Sequence, residues 1–237
     1  MEARVRIGGN RKFVLKCAVM IYTDASTAFA TVHEAKVDSE GSPFLAAGRS
    51  LTTAFLRRLS QVLGTATPTE VLPEWVLART PDMIAWWTRG HARVMFFGGQ
   101  EKGARDLNGH VFPHPPLVFK VRGRELFVRA LAENTRPTGE TELKTAPYWN
   151  TDSGGRVCAG TMRIPDQLMT NSISAWEDAY FSSEFTHPSG AVRLTKHRRG
   201  FIGLWTSVKD KSQTFPADML TDAKETLSEF IESDKES

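Results

Sequence analysis

The chain has 237 residues, of which 41% are hydrophobic, 24% charged and 10% aromatic; this is a globular composition that excludes a disordered or fibrous chain and fits one large domain or one domain with an extension. The 30 lysines and arginines are nearly balanced by 27 aspartates and glutamates, leaving a net charge of +3, too small and too mixed to argue for nucleic acid as a partner. Two cysteines exclude a disulfide framework, and the polar start "MEARVRIGGNRKF" with no apolar stretch near ~18 residues predicts no membrane span and a cytoplasmic protein with free thiols.

In chain order, the first signal is "KFVLKCAVMIYT" (12–23) followed by "AFATVHEAKV" (28–37), two β-branched apolar runs separated by "DAST", which predicts a β-hairpin. Cys17, among Leu15, Val19 and Ile21, is expected in the core. Residues 50–63 place Leu51, Phe55, Leu59 and Val62 on one helical face, with Ser50 as the N-cap and Gly64 past the end. "TPDMIAWW" has Thr80 and Pro81 where a helix starts, so a short helix through Trp87 is expected, then a buried strand at 93–97. Residues 98–116 carry enough glycine and proline to predict a long mobile loop. "LVFKV" and "ELFVRAL" read as a hairpin about Gly123, and "LKTA" as a last strand. "SAWEDAYF" has the Ser174–Glu177 spacing of a capping box, predicting a helix from 174. Met219, Ala223, Leu227 and Phe230 then predict an amphipathic helix from Pro216, and the polar end is expected to fray.

Phosphate-loop, dinucleotide and GxSxG motifs are absent. His33 in "VHEA" has no PCxxC partner and reads as a strand residue. His110 and His114 stand four apart among prolines that forbid a regular helix, so they read as loop histidines, and neither a metal nor a cofactor is expected. "KHRRG" (196–200) reads as a solvated turn more readily than as a phosphate contact. Trp176, Phe181, Phe185 and Trp205 read as core.

The segment "YWNTDSGGRVCAG" (148–160) is different: a cysteine follows a glycine-rich turn, eight residues beyond Asn150. Asn150, Gly155, Val157 and Cys158 resemble the active-site segment of ubiquitin-conjugating enzymes, His-Pro-Asn, a short loop, then Gly-x-Ile/Val-Cys. Tyr148 and Trp149 stand where that motif has His-Pro. The block from "LKTAPYWN" through "GRVCAG" and "AWEDAYFSSEFTHP" more specifically resembles the bacterial PRTRC system protein B family, which is prokaryotic family D of the ubiquitin-conjugating superfamily. The likeness covers roughly residues 72–205.

The resemblance implies an α+β fold with a ubiquitin-conjugating-enzyme-like core, an antiparallel β-meander flanked by helices. It divides the chain into an N-terminal β-hairpin and helix extension (1–71), the conjugating-like domain (72–232) and a disordered tail (233–237). It further implies that Cys158 accepts a ubiquitin-like modifier from a ThiF-like activating enzyme and passes it to an amine, in a plasmid-borne or other mobile system. Thioester exchange needs little beyond positioning. Asn150 is then either an oxyanion donor or a residue that pins the loop through backbone amides. Asp152 either assists the incoming amine or shapes a turn. His187, in "FTHP", either replaces the motif histidine or bonds backbone. Two other readings stay open: a docking module of the same fold in which Cys158 is inert, and a basic adaptor for plasmid DNA resting on "KHRRG" alone. The acceptor is not named by the sequence.

Overall fold

The computed structural model describes residues 4–6, 12–24, 26–64, 69–99, 103–189, 193–211 and 214–233. The chain divides into two compact units, residues 1–67 and 68–237.

In the first unit, β1 (Arg4–Arg6) pairs with β2 (Lys12–Val14), and β3 (Cys17–Thr23) pairs with β4 (Ala28–Val37) in the expected antiparallel hairpin. The Asp24 carboxylate closes its turn by accepting the backbone N–H groups of Ser26 and Thr27, both at 2.8 Å. The far edge of β4 takes β5 (Pro43–Leu45) and β6 (Arg49–Ser50). Ser50 therefore belongs to a strand. Thr52 caps α1 (Thr53–Val62) instead, its side chain accepting from Phe55 N–H, and Gly64 follows at φ 69°. Among the described residues of this unit, Val32 is the only buried apolar side chain. Cys17 is half-buried rather than core, because among the described residues β3 has only one neighbouring strand.

The second unit contains β7 (Val76–Arg79), β8 (Met83–Thr88), β9 (Ala92–Phe97), β10 (His110–Pro113), β11 (Leu117–Arg122), β12 (Glu125–Ala130), β13 (Glu142–Thr145), α2 (Ile173–Phe181), β14 (Glu184–Phe185), α3 (Gly200–Val208), β15 (Asp222–Thr226) and α4 (Leu227–Glu232). An antiparallel six-stranded sheet runs β15-β13-β12-β11-β8-β7, and a second sheet runs β10-β9-β14. Strand side chains alternate between two cores, as the period of two requires. Trp86, Phe119 and Val128 share one with Trp176 and Tyr180 of α2 and Trp205 of α3. Trp87, Val118 and Phe127 share the other with Leu227 and Phe230 of α4. This mixed architecture of antiparallel sheets and few helices is compatible with the expected class.

Several elements differ from the sequence expectations. Residues 83–88 are a strand, not a helix: β8 is covered on both faces and so carries an unbroken apolar run, which a buried helix also would. Thr80 and Pro81 instead form the turn into it, with Thr80 N–H bonded to Met83 O at 2.8 Å. Much of the expected loop at 98–116 is ordered as a 3-10 turn, Arg105–Leu107, followed by β10, with Ala104 and Leu107 buried; residues 100–102 lie outside the described ones. The helix expected from Ser174 starts at Ile173, and Glu177 makes no capping box. Its carboxylate accepts from the Trp86 indole (3.0 Å) and Arg93 (2.5 Å). The C-terminal helix begins only at Leu227, where Thr226 and Glu229 form a capping box, because residues 222–226 are taken by the free edge of β13. No sequence signal had indicated α3, "GFIGLWTSV", whose glycines and lack of charge disguise it. Of the tail expected to fray, 234–237 lie outside the described residues.

Candidate functional site

The site grows from a gap in the sheet. β13 pairs with β12 only at Arg129 and Ala130, leaving the first half of that β12 edge open. Residues 155–157 fill it: Val157 N–H donates to Leu126 O, and Val128 N–H to Gly155 O, both at 2.8 Å. Only glycine suits position 155, since its φ is 84° and a Cβ there would lie 2.8 Å from Val128 O.

The turn ahead of this segment is closed by Asp152. Its Oδ1 accepts Arg156 N–H at 2.9 Å and its own N–H donates to Arg156 O at 3.0 Å. Beneath the turn lies Arg129, buried in β12, which donates to Ser153 O (2.8 Å) and through Nε to Glu225 of β15 (2.6 Å). A buried guanidinium thus ties the turn to the sheet edge, and its charge is met by a carboxylate as burial demands.

Asn150 holds the other side. It sits at φ 59°, a left-handed conformation that asparagine tolerates better than most residues. Its carbonyl accepts Cys158 N–H at 2.7 Å, and its own N–H donates to His187 O at 3.0 Å. The buried carboxamide donates to Glu184 O (2.7 Å) and accepts from Thr186 N–H (3.1 Å), Thr186 Oγ1 (3.0 Å) and His187 N–H (3.3 Å). The loop before Cys158 is thereby fastened to the segment after α2.

Cys158 itself is exposed, on a backbone fixed from both directions. It borders a cleft of about 430 Å³ with an apolar wall of Leu126, Val157, Met162 and Ile164. Arg156 and Glu125, paired at 2.9 Å, stand on its rim, and Asp152 lines it too. Among the described residues the thiol has no hydrogen-bond partner. The structure thus brings Cys158, Asn150 and Asp152 into one loop. His187 joins through its backbone; its exposed ring bonds the neighbouring Thr186 Oγ1 at 2.8 Å.

The other singled-out residues lie elsewhere. His33 bonds Thr31 Oγ1 and Ala46 O within the hairpin unit. His110 is in β10 and pairs with Asp210 at 2.7 Å. His114 follows β10 in a loop, as expected, but that loop is buried: the residue is 3% exposed, bonds the Tyr148 hydroxyl at 2.7 Å, and burial pushes its pKa down to about 3. "KHRRG" forms the exposed turn entering α3. Among the described residues no cluster of His, Cys, Asp and Glu could hold a metal ion, and no helix is long and apolar enough to cross a membrane. Sequence reading missed Arg129 and the receiving segment 184–186. An arginine in the middle of "ELFVRAL" was the available signal for the first; nothing local marks the second.

A family model described as prokaryotic E2 family D matches residues 54–223. No match was found among curated proteins or among solved structures.

Proposed function

From the chain's membership of prokaryotic E2 family D, which in general implies a ubiquitin-like modifier and an activating enzyme as partners, we propose that Cys158 is the acceptor thiol of a conjugation reaction. The observation that carries this reading is the exposed Cys158 thiol on a doubly anchored backbone, bordering a cleft of about 430 Å³.

The Cys158 thiolate attacks the carbonyl carbon of the modifier's thioester on a ThiF-like activating enzyme. A new C–S bond forms, the old one breaks, and the activating enzyme's thiolate departs. In the second step an amine attacks the same carbon, loses a proton to solvent, and displaces the Cys158 thiolate as the amide forms. Both steps depend mainly on positioning, which the two-sided anchoring of the loop supplies. Asp152 contributes negative charge on the cleft, which favours the positive charge that develops on the amine nitrogen as it attacks.

Asn150 acts as a positioning residue. Its carboxamide is engaged with residues 184–187, which supports loop fixing over oxyanion donation. His187 serves through its backbone. The pathway, whether plasmid-borne or otherwise, follows from whichever modifier loads.

Mixing the full chain with the activating enzyme, modifier and ATP should give an adduct that thiol reductant destroys, and Cys158→Ser should give none or a reductant-resistant oxyester. An unloaded wild type with both partners shown to bind would leave a docking module. Asn150→Ala should lower loading and discharge together. A selective loss of discharge, by about tenfold or more, would instead make Asn150 the oxyanion donor.

A further inference from the structure

The hairpin unit presents an edge that natural sheets usually protect. β3, "CAVMIYT", has no charge, proline or glycine, yet it lies at the end of its sheet and, among the described residues, pairs only with β4. Such an edge is a template for another strand. Which backbone groups it offers follows from the ladder. Ala35 N–H donates to Lys16 O and Asp24 N–H to Thr27 O, so the even-numbered residues of β3 bond to β4. The N–H and C=O groups of Cys17, Val19, Ile21 and Thr23 therefore point away from it. Around them Val19, Met20, Ile21 and Tyr22 are all exposed, Ile21 by 72%.

We propose that β3 pairs edge to edge with β3 of a second copy of this chain, antiparallel about a two-fold axis at Met20, joining two hairpin units into one sheet. The strand's own chemistry selects this occupant and this register. Centring on Met20 aligns the whole of β3 with itself and places Val19 opposite Ile21 and Cys17 opposite Thr23, with the outward-pointing residues meeting as hydrogen-bonded pairs. Val19–Ile21 is a β-branched cross-strand pair, a favourable kind. The same register sets Lys16 opposite Asp24, so opposite charges meet at both ends of the ladder. A shift of two residues either way shortens the ladder and moves Lys16 against Tyr22 or Asp24 against Ala18, losing that match. The hydroxyl-bearing Tyr22 ring, stacked on Phe29 of β4 at 4.7 Å, stiffens one face of the strand for pairing.

The test is sedimentation of the purified full chain over a dilution series. The wild type should reach twice the 26.4 kDa chain mass. Ile21→Lys, at an exposed position that enters a two-fold interface twice, should raise the dimer Kd by at least about tenfold. Ile21→Pro should do the same, since it removes an N–H that β4 does not use; circular dichroism establishes that both variants fold. Register is read by disulfide capture in a Cys17→Ser, Cys158→Ser background: Met20→Cys should cross-link under mild oxidation and Tyr22→Cys, opposite Ala18, should not. A monomeric wild type, a dimer that folded Ile21→Lys and Ile21→Pro leave intact, or cross-linking through Tyr22→Cys in preference to Met20→Cys would each overturn the proposal.

Discussion

β3 and β11 are antiparallel strands of similar length, and their sequences suggest the opposite of their environments. β3, "CAVMIYT", is uncharged and largely exposed; β11, "LVFKVR", contains two cations, yet Leu117 through Val121 are all buried. Position in the sheet explains the difference. β11 is flanked by β8 and β12 with a core on each face, whereas β3 has one neighbour among the described residues. Burial of a strand is therefore set by how many of its sides are covered, and residue type then adapts to that. Lys120 shows the adaptation: its Nζ donates to Phe230 O (2.6 Å), Ser233 O (3.2 Å) and Ser233 Oγ (3.1 Å), so the buried charge meets the carbonyl end of α4.

The contrast is broken most directly by truncation. Trp86, fully buried, stacks on Phe119 at 5.3 Å and donates to Glu177. Trp86→Ala should lower unfolding stability in urea by about 3–5 kcal/mol, whereas Ile21→Ala should stay within about 0.5 kcal/mol when measured on monomer. Equal costs would mean that β3 is covered within the chain.

A second way uses pH, since among the described residues the buried polar side chains belong to the larger unit. Burial holds His114 near 3 against an ordinary 6.5, so the unfolded chain binds the extra proton between those values. Its contribution is fully present above about pH 6.5 and is lost progressively as pH falls towards 3, by a few kcal/mol at most. His114→Gln should show a shallower fall in urea midpoint over that window. Parallel profiles would mean that His114 titrates normally.

Lys120→Met sharpens the comparison within one strand. It keeps the bulk but leaves the carbonyls of Phe230 and Ser233 short of a donor, and should cost about 1–3 kcal/mol. A neutral or stabilising result, read from the same urea curves, would mean that the ammonium's desolvation outweighs its bonds.

The smallest effect concerns the exposed unit. Backbone N–H groups of Ser26 and Thr27, followed by their hydroxyls, lower Asp24 from 3.8 to about 2. The hairpin should keep this contribution above pH 4 and lose it as pH falls through about 2; Asp24→Asn should remove the dependence. A carboxyl titration followed by NMR that centres near 3.8 would refute the turn's role.

By itself the sequence determined what depends on near neighbours. The β3–β4 hairpin was legible from two β-branched runs about a turn-forming Asp24, α1 from its apolar spacing and Gly64, and the β11–β12 hairpin from Gly123. The cluster of Asn150, Gly155 and Cys158 was visible through its resemblance to the conjugating-enzyme segment, and the family through the longer block from "LKTAPYWN" to "AWEDAYFSSEFTHP". Tertiary structure decided the rest because it depends on distant partners. Residues 83–88 became a strand only because β11 and β7 pair with them, and 222–226 because β13 left an edge free. The engagement of the Asn150 carboxamide with residues 184–187 links positions 34 to 37 apart in the chain. No local pattern encodes such a bond, since the free energy of ordering each segment is recovered only when its remote partner is already in place.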